Sequence, residues 1–170
     1  RTAAARLTCS APNPGKLPGA GRAPLGHAGE MRFVIYGAGA IGGAVGGRLF
    51  EAGHDVTLIA RGDHLRALQA DGLTLGAPGG TVTLPVPAVG HPGELPFAPG
   101  DVVVLAMKAQ HTAGALTDLA RVAPPGVAVF CAQNGVDNER MALRVFPDVY
   151  GVAVMLPATH LEPGVVVTNS

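Results

Sequence analysis

Along residues 31–170, short uninterrupted apolar runs alternate with stretches whose apolar residues recur every three or four positions. The runs Phe33 to Tyr36, Val56 to Ala60, Asp101 to Met107, Val127 to Ala132 and Val149 to Leu156 have the continuity of strands buried on both faces. The intervening pattern predicts four helices. The first carries Ile41, Val45 and Leu49 on one face and is stopped by Gly53; the others cover His64 to Ala70, Thr112 to Val122, and Asn138 to Val145 with Asp137 as N-cap. Pro78-Gly79-Gly80 predicts a hairpin of Leu73 to Leu75 with Val82 to Leu84, leading to a short strand near Val86 to Val89. Gly90 to Gly100 reads as loop or a brief helical turn. Thr159 to His160 and Val165 to Thr168 read as a further pair around Glu162-Pro163-Gly164. Strands alternating with helices imply an α/β fold with a doubly wound, mainly parallel sheet and right-handed crossovers.

The first run leads directly into Gly37-Ala38-Gly39-Ala40-Ile41-Gly42 and then into the first helix. Strand, glycine turn and helix come in the order that a Rossmann-type dinucleotide-binding unit needs; the alternative is a glycine-rich turn before an ordinary helix. Gly37 permits the tight turn, Gly39 lets the backbone approach a pyrophosphate, and Gly42 lets the helix pack on the strand. The helix start offers free N–H groups and positive partial charge to the phosphates.

Three other polar positions fall just past the carboxyl ends of predicted strands, the edge where open α/β sheets bind ligands. Arg61 stands nineteen residues beyond Gly42. An acidic residue there would hold the ribose 2′-hydroxyl of NAD, whereas an arginine suits the 2′-phosphate of NADP, so NADP is favoured; Asp63 nearby keeps NAD open. Lys108, the one lysine after Lys16, follows the strand ending at Met107. In the usual strand order that strand adjoins the one ending at Tyr36, so Lys108 stands beside the glycine turn, able either to meet phosphate or to snorkel. Gln133-Asn134-Gly135 offers an amide to a ribose, a nicotinamide or a substrate carbonyl, or is simply a turn. His54 and His64 read as surface residues, and only His111 falls near the proposed site.

Composition narrows the function classes. The tail before Met31 holds four of the 12 basic residues and one of the 12 acidic ones, so the remainder is net acidic, with two tyrosines and no tryptophan. That excludes a basic nucleic-acid surface. Cys9 and Cys131 make neither a disulfide framework nor a metal site, and no apolar run reaches membrane-spanning length. A cytoplasmic protein is expected. Residues 1–30, rich in Ala, Pro and Gly without periodicity, are expected to form a disordered tail, with Met31 as a natural start. Residues 31–170 then form one domain. The segment after Met31 has no serine before Ser170, so serine-nucleophile chemistry has no candidate.

Taken together, the glycine motif, Ala60-Arg61-Gly62 with Gly72-Leu73, Val104-Leu105-Ala106-Met107-Lys108-Ala109-Gln110, and Gln133-Asn134-Gly135-Val136-Asp137-Asn138-Glu139 resemble the ketopantoate reductase (2-dehydropantoate 2-reductase) family. The resemblance covers essentially Met31 to Ser170. It implies NADPH-dependent reduction of a 2-oxo acid, 2-dehydropantoate, to pantoate in pantothenate synthesis. It further implies that Gly37, Ala38, Gly39, Ala40, Ile41 and Gly42 hold the pyrophosphate, that Arg61 and Lys108 serve the 2′-phosphate side, and that Asn134 lies at the nicotinamide and substrate. The glutamine common three places after the family's lysine falls at His111 here, with Gln110 one place early. The family's helical C-terminal domain, which supplies a general-acid lysine, would lie beyond Ser170. The chain is therefore expected to bind cofactor while reducing substrate poorly alone, and to expose an apolar surface near Val152 to Val167 where that domain is missing. A homodimer of the full-length form stays open, as do a different β-hydroxyacid-type dehydrogenase and a non-catalytic nucleotide-binding module.

Overall fold

A computed structural model describes residues 31–169. The expected tail, Cys9 and Ser170 lie outside them. In chain order the elements are β1 (Arg32–Tyr36), α1 (Ala40–Glu51), β2 (Asp55–Ile59), α2 (Gly62–Asp71), β3 (Leu73–Ala77), β4 (Gly80–Leu84), β5 (Ala88–Val89), β6 (Val102–Leu105), α3 (Thr112–Ala120), β7 (Ala128–Cys131), α4 (Asn138–Ala142), β8 (Val149–Gly151), β9 (Ala158–Thr159) and β10 (Val165–Thr168). Six strands form an all-parallel sheet in the order β5-β2-β1-β6-β7-β8, the order of a Rossmann fold. β1 and β6 are neighbours, as the sequence implied, pairing Phe33 with Val102 through Tyr36 with Leu105. At the opposite end of these two strands Arg32 and Asp101 form a buried ion pair at 2.5 Å, in which Arg32 also donates to Pro96 O and Asp101 accepts from Ala98 N. One further hydrogen bond on each charge offsets the cost of burying the pair, while Arg32 Nε has no partner.

The second sheet is a product of distant segments. The predicted hairpin is present as β3 and β4, and the predicted pair as β9 and β10, yet all four strands join in the order β4-β3-β10-β9. The join is a parallel pairing of Thr74, Leu75 and Gly76 with Val165, Val166 and Val167. Helix α1 lies between the two sheets and touches both. A Cβ at Gly46 would stand 2.7 Å from Leu58 Cδ2 and 3.0 Å from Ile35 Cγ1 in the large sheet; one at Gly43 would stand 2.7 Å from Val166 Cγ2 in the small one. The deeply buried face of α1 is thus Gly42, Gly43, Ala44, Gly46 and Gly47. The expected face of Ile41, Val45 and Leu49 is only half-buried, because a helix squeezed from two sides presents its small residues to both walls.

Two other expectations change. The last strand of the large sheet stops at Gly151 rather than Leu156: its partner β7 ends at Cys131, and beyond the single bond from Val152 N to Cys131 O there is no ladder left to extend. Asp137 holds the N-cap position of α4, but its side chain caps nothing; it faces Arg140 at 3.6 Å. No helix among the described residues is long and apolar enough to cross a membrane.

Glycine substitutions separate packing from propensity. A Cβ at Gly42 would run into the Gly37 carbonyl oxygen, a backbone clash that neighbouring side chains cannot relieve, whereas Gly114 in α3 faces open space. Gly42→Ala is expected to lose about 3 kcal/mol or more, and Gly114→Ala to gain roughly 0.5–1 kcal/mol from helix propensity, both measured by denaturant unfolding.

Candidate cofactor site

The carboxyl ends of β1, β2, β6 and β7 open into one cleft of about 930 Å³. Gly37 to Ile41, Arg61, Lys108, Gln110, His111, Gln133 and Asn134 all line it. Of the glycine motif, only Gly42 stays out: it is buried beneath the turn, where it permits the close approach to Gly37. Gly37 has φ +101°, and the Gly37 and Ala38 N–H groups both donate to Ile59 O, at 3.0 and 3.2 Å, which fixes the turn to the end of β2. Gly39 differs in kind, because a Cβ there would meet no protein atom within 4 Å. Its side-chain position is open cleft. Gly39 is also the N-cap of α1 and provides no side-chain cap, and the helix has no acidic residue in its first turn. The first amides of a twelve-residue helix, with their positive partial charge, therefore remain available to an anion.

The charges around this turn point the same way. Among the described residues, Arg32, Arg48, Arg66, Arg121 and Arg140 each face a carboxylate. Arg61, Lys108 and Arg144 do not, and two of these three line the cleft, just past the ends of the strands that flank β1. Cations held without counter-ions beside a bare helix N-terminus are the chemistry that suits a polyanion such as phosphate.

The other end of the cleft is held by a hydrogen-bonded chain. Gln133 Nε2 donates to Met107 O at 2.7 Å and to Thr112 Oγ1 at 2.8 Å. Thr112 Oγ1 donates to Asn138 Oδ1 at 3.0 Å, and Asn138 Nδ2 to Asn134 O at 3.2 Å. This chain ties the turn after β6 to the turn after β7 and leaves the exposed Asn134 amide free at the cleft wall. Thr112 and Asn138 escaped sequence reading, since both occur where ordinary helix starts are expected. Ala158 and Thr159 of the second sheet, with the neighbouring Val154 and His160, close the far wall, and no local pattern placed them at the cleft.

His64 is a correction. Expected at the surface, it is half-buried and bridges the two sheets: Nδ1 accepts from Gly164 N at 2.9 Å, so Nε2–H donates to Ala38 O at 2.7 Å, in the glycine turn itself. The His160 ring packs on it with centroids 4.1 Å apart. Burial holds the His64 pKa below its ordinary value, the Ala38 carbonyl opposes that shift, and His160 adds to it. Tyr36, at the end of β1, is 3% exposed; its hydroxyl lies beside the Arg61 guanidinium, and its proton has no acceptor among the described residues. Burial raises its pKa, and the nearby Arg61 guanidinium only partly opposes the rise. The buried Cys131 thiol is pushed up to about 11, mainly by burial, and so stays protonated.

The family model of ketopantoate reductase PanE/ApbA matches residues 33–170. A 2-dehydropantoate 2-reductase of Mesorhizobium japonicum is 42% identical over 107 residues, which are 62% of this chain and 32% of that protein. A PanE/ApbA family ketopantoate reductase from Ralstonia eutropha JMP134 superposes with a TM-score of 0.77 at 30% identity, covering 82% of this chain and 47% of that one. D-mandelate dehydrogenase, solved with NADH and anilino(oxo)acetate, gives 0.76 at 26% identity, covering 82% and 46%. The chain thus spans a third to a half of the length of these relatives.

The His64 bridge predicts a pH dependence. The native state holds the ring neutral, so its contribution is complete above pH ~6.5, the ordinary imidazole value, and is lost as the pH falls below it, because the unfolded chain takes up the proton first. Denaturant midpoints should fall on acidification between pH 7 and 5. His64→Leu should be less stable than the wild type at pH 8 and show a shallower fall.

Proposed function

Because this chain belongs to the ketopantoate reductase PanE/ApbA family, an oxidoreductase family with a Rossmann-type fold, we propose that it is the cofactor-binding part of an NADPH-dependent reductase converting 2-dehydropantoate to pantoate for pantothenate synthesis, in the cytoplasm. The observation that carries the NADP reading is the pair of unpaired cations, Arg61 and Lys108, on either side of the strand that feeds the glycine turn.

In this reading the turn from Gly37 to Ile41 and the first amides of α1 hold the pyrophosphate, with the open Cβ position of Gly39 giving it room. Arg61 and Lys108 pair with the 2′-phosphate. The bound dinucleotide supplies the hydride that reduces the substrate ketone. Asn134, its backbone held through Asn138, presents its side-chain amide to the nicotinamide and substrate. The alkoxide product needs a proton, for which the family's general-acid lysine in the helical C-terminal domain is the expected donor. The chain alone is accordingly a binder and a poor reductase. An apolar groove of about 390 Å³ between α1 and the segment Val152 to Leu156, with Phe33, Val104 and Phe130 at its floor and Met155 93% exposed at its rim, suits the packing of that domain.

A second reading rests on the likeness to D-mandelate dehydrogenase: another β-hydroxyacid-type dehydrogenase, using NADH, with Asp63 at the ribose. A non-catalytic nucleotide-binding module is the third. Titration of the chain with both cofactors separates the first two. NADPH should bind more tightly than NADH, and Arg61→Ala or Lys108→Ala should weaken NADPH about tenfold or more while sparing NADH. Equal affinities would remove the NADP reading. Gly39→Ala should weaken both cofactors and leave the melting temperature unchanged. A form carrying the family's second domain should reduce 2-dehydropantoate; turnover of other 2-oxo acids alone would favour the second reading, and binding without turnover the third.

A further inference from the structure

Tyr36 is the last residue of β1, paired in register with Ile59 at the end of β2 and Leu105 at the end of β6. Because the sheet runs β2-β1-β6, it lies midway between the two strands that lead to Arg61 and Lys108. Its ring packs among Ile59, Leu105, Ala115 and Leu119 on the α3 side of the sheet, while the residue borders the cleft. The phenol is 3% exposed and its oxygen has no contact with solvent; the Arg61 guanidinium beside it can only donate, so among the described residues the phenolic proton has no acceptor. A phenolic proton taken out of water and left without an acceptor works against folding, and phenylalanine would fill the same space without that penalty. A tyrosine kept at such a place points to a partner that arrives from outside.

We propose that the Tyr36 hydroxyl donates a hydrogen bond to the 2′-phosphate of the adenosine ribose, completing with Arg61 and Lys108 a three-sided phosphate site and making Tyr36 a specificity-determining residue for NADP over NAD. The inference rests on the NADP reading above. The cleft supports it twice: the position is flanked by two cations without counter-ions, and it is separated from the turn that takes the pyrophosphate by no more than the end of one strand. The phenol is protonated at neutral pH, burial having moved it upward, so it serves the phosphate oxygens as a donor.

The adenosine end can be tested alone, with 2′,5′-ADP and 5′-ADP titrated calorimetrically into the wild-type chain and Tyr36→Phe, alongside melting curves of both proteins without ligand. The wild type should prefer 2′,5′-ADP. Tyr36→Phe should lose about tenfold in affinity for 2′,5′-ADP, the worth of one hydrogen bond to a charged group, and keep its affinity for 5′-ADP. Its ligand-free melting temperature should equal or exceed that of the wild type. If the wild type binds the two nucleotides alike, the NADP reading itself fails and takes this inference with it. If the wild type discriminates and Tyr36→Phe discriminates equally well, the reading stands and the inference is overturned. Equal loss of both nucleotides, or a lower melting temperature, also overturns it, since either result would give the hydroxyl a different partner.

Discussion

The confinement of α1 between two sheets is the constraint from which the rest of the molecule follows. A helix that must approach β1 and β2 on one flank and β3 and β10 on the other has no room for side chains on either. Four of its twelve residues are glycine, each a poor helix former by about 1 kcal/mol relative to alanine. Tertiary packing overrides that propensity. The same tightness brings the helix N-terminus down onto the end of β1, so that the approach which satisfies the core also exposes the amides that a phosphate needs. Gly42 illustrates the division of labour: it lies in the binding motif by sequence, and serves the packing by structure.

The rim of the sheet shows the reverse arrangement. There, groups that a stable fold would normally satisfy are left open: two cations without counter-ions, an uncapped helix start, the Tyr36 hydroxyl and the buried Gln133 Oε1, which also lacks a partner. Unsatisfied buried groups are uncommon; the other one among the described residues, Arg32 Nε, belongs to the ion pair at the opposite end of the strands. Around the rim the structure is firm. The Gln133–Thr112–Asn138 chain and the His64 bridge hold the surrounding turns, so the open groups belong to a rigid frame and meet a ligand with little loss of freedom.

Much of this was legible in the residues. Runs such as Val102 to Leu105, buried at every position, identify themselves because a doubly covered strand tolerates no polar residue. That Arg61, Lys108 and Asn134 fall at one edge was legible because strand ends are easily counted once the alternation is recognised. What stayed hidden was non-local. The pairing of Val165 to Val167 with Thr74 to Gly76 leaves no trace in either segment. His64 looks like a solvated helix residue until Gly164 and Ala38 are brought to its two nitrogens, and the end of β8 depends on where its neighbour stops. The glycine face of α1 misled for a related reason: an apolar stripe marks the buried side only when a single surface covers the helix.

The late position of β10 also affects how the chain comes into being. Val166, fully buried against Gly43, emerges from the ribosome after every strand of the large sheet. Until then the nascent polypeptide has a glycine-rich helix open along one flank and a β3–β4 ribbon with an unpaired edge, both exposed to the chaperones that recognise such surfaces. Completion of the cleft, including the far wall that carries His160, thus has to wait until the whole of the large sheet has emerged.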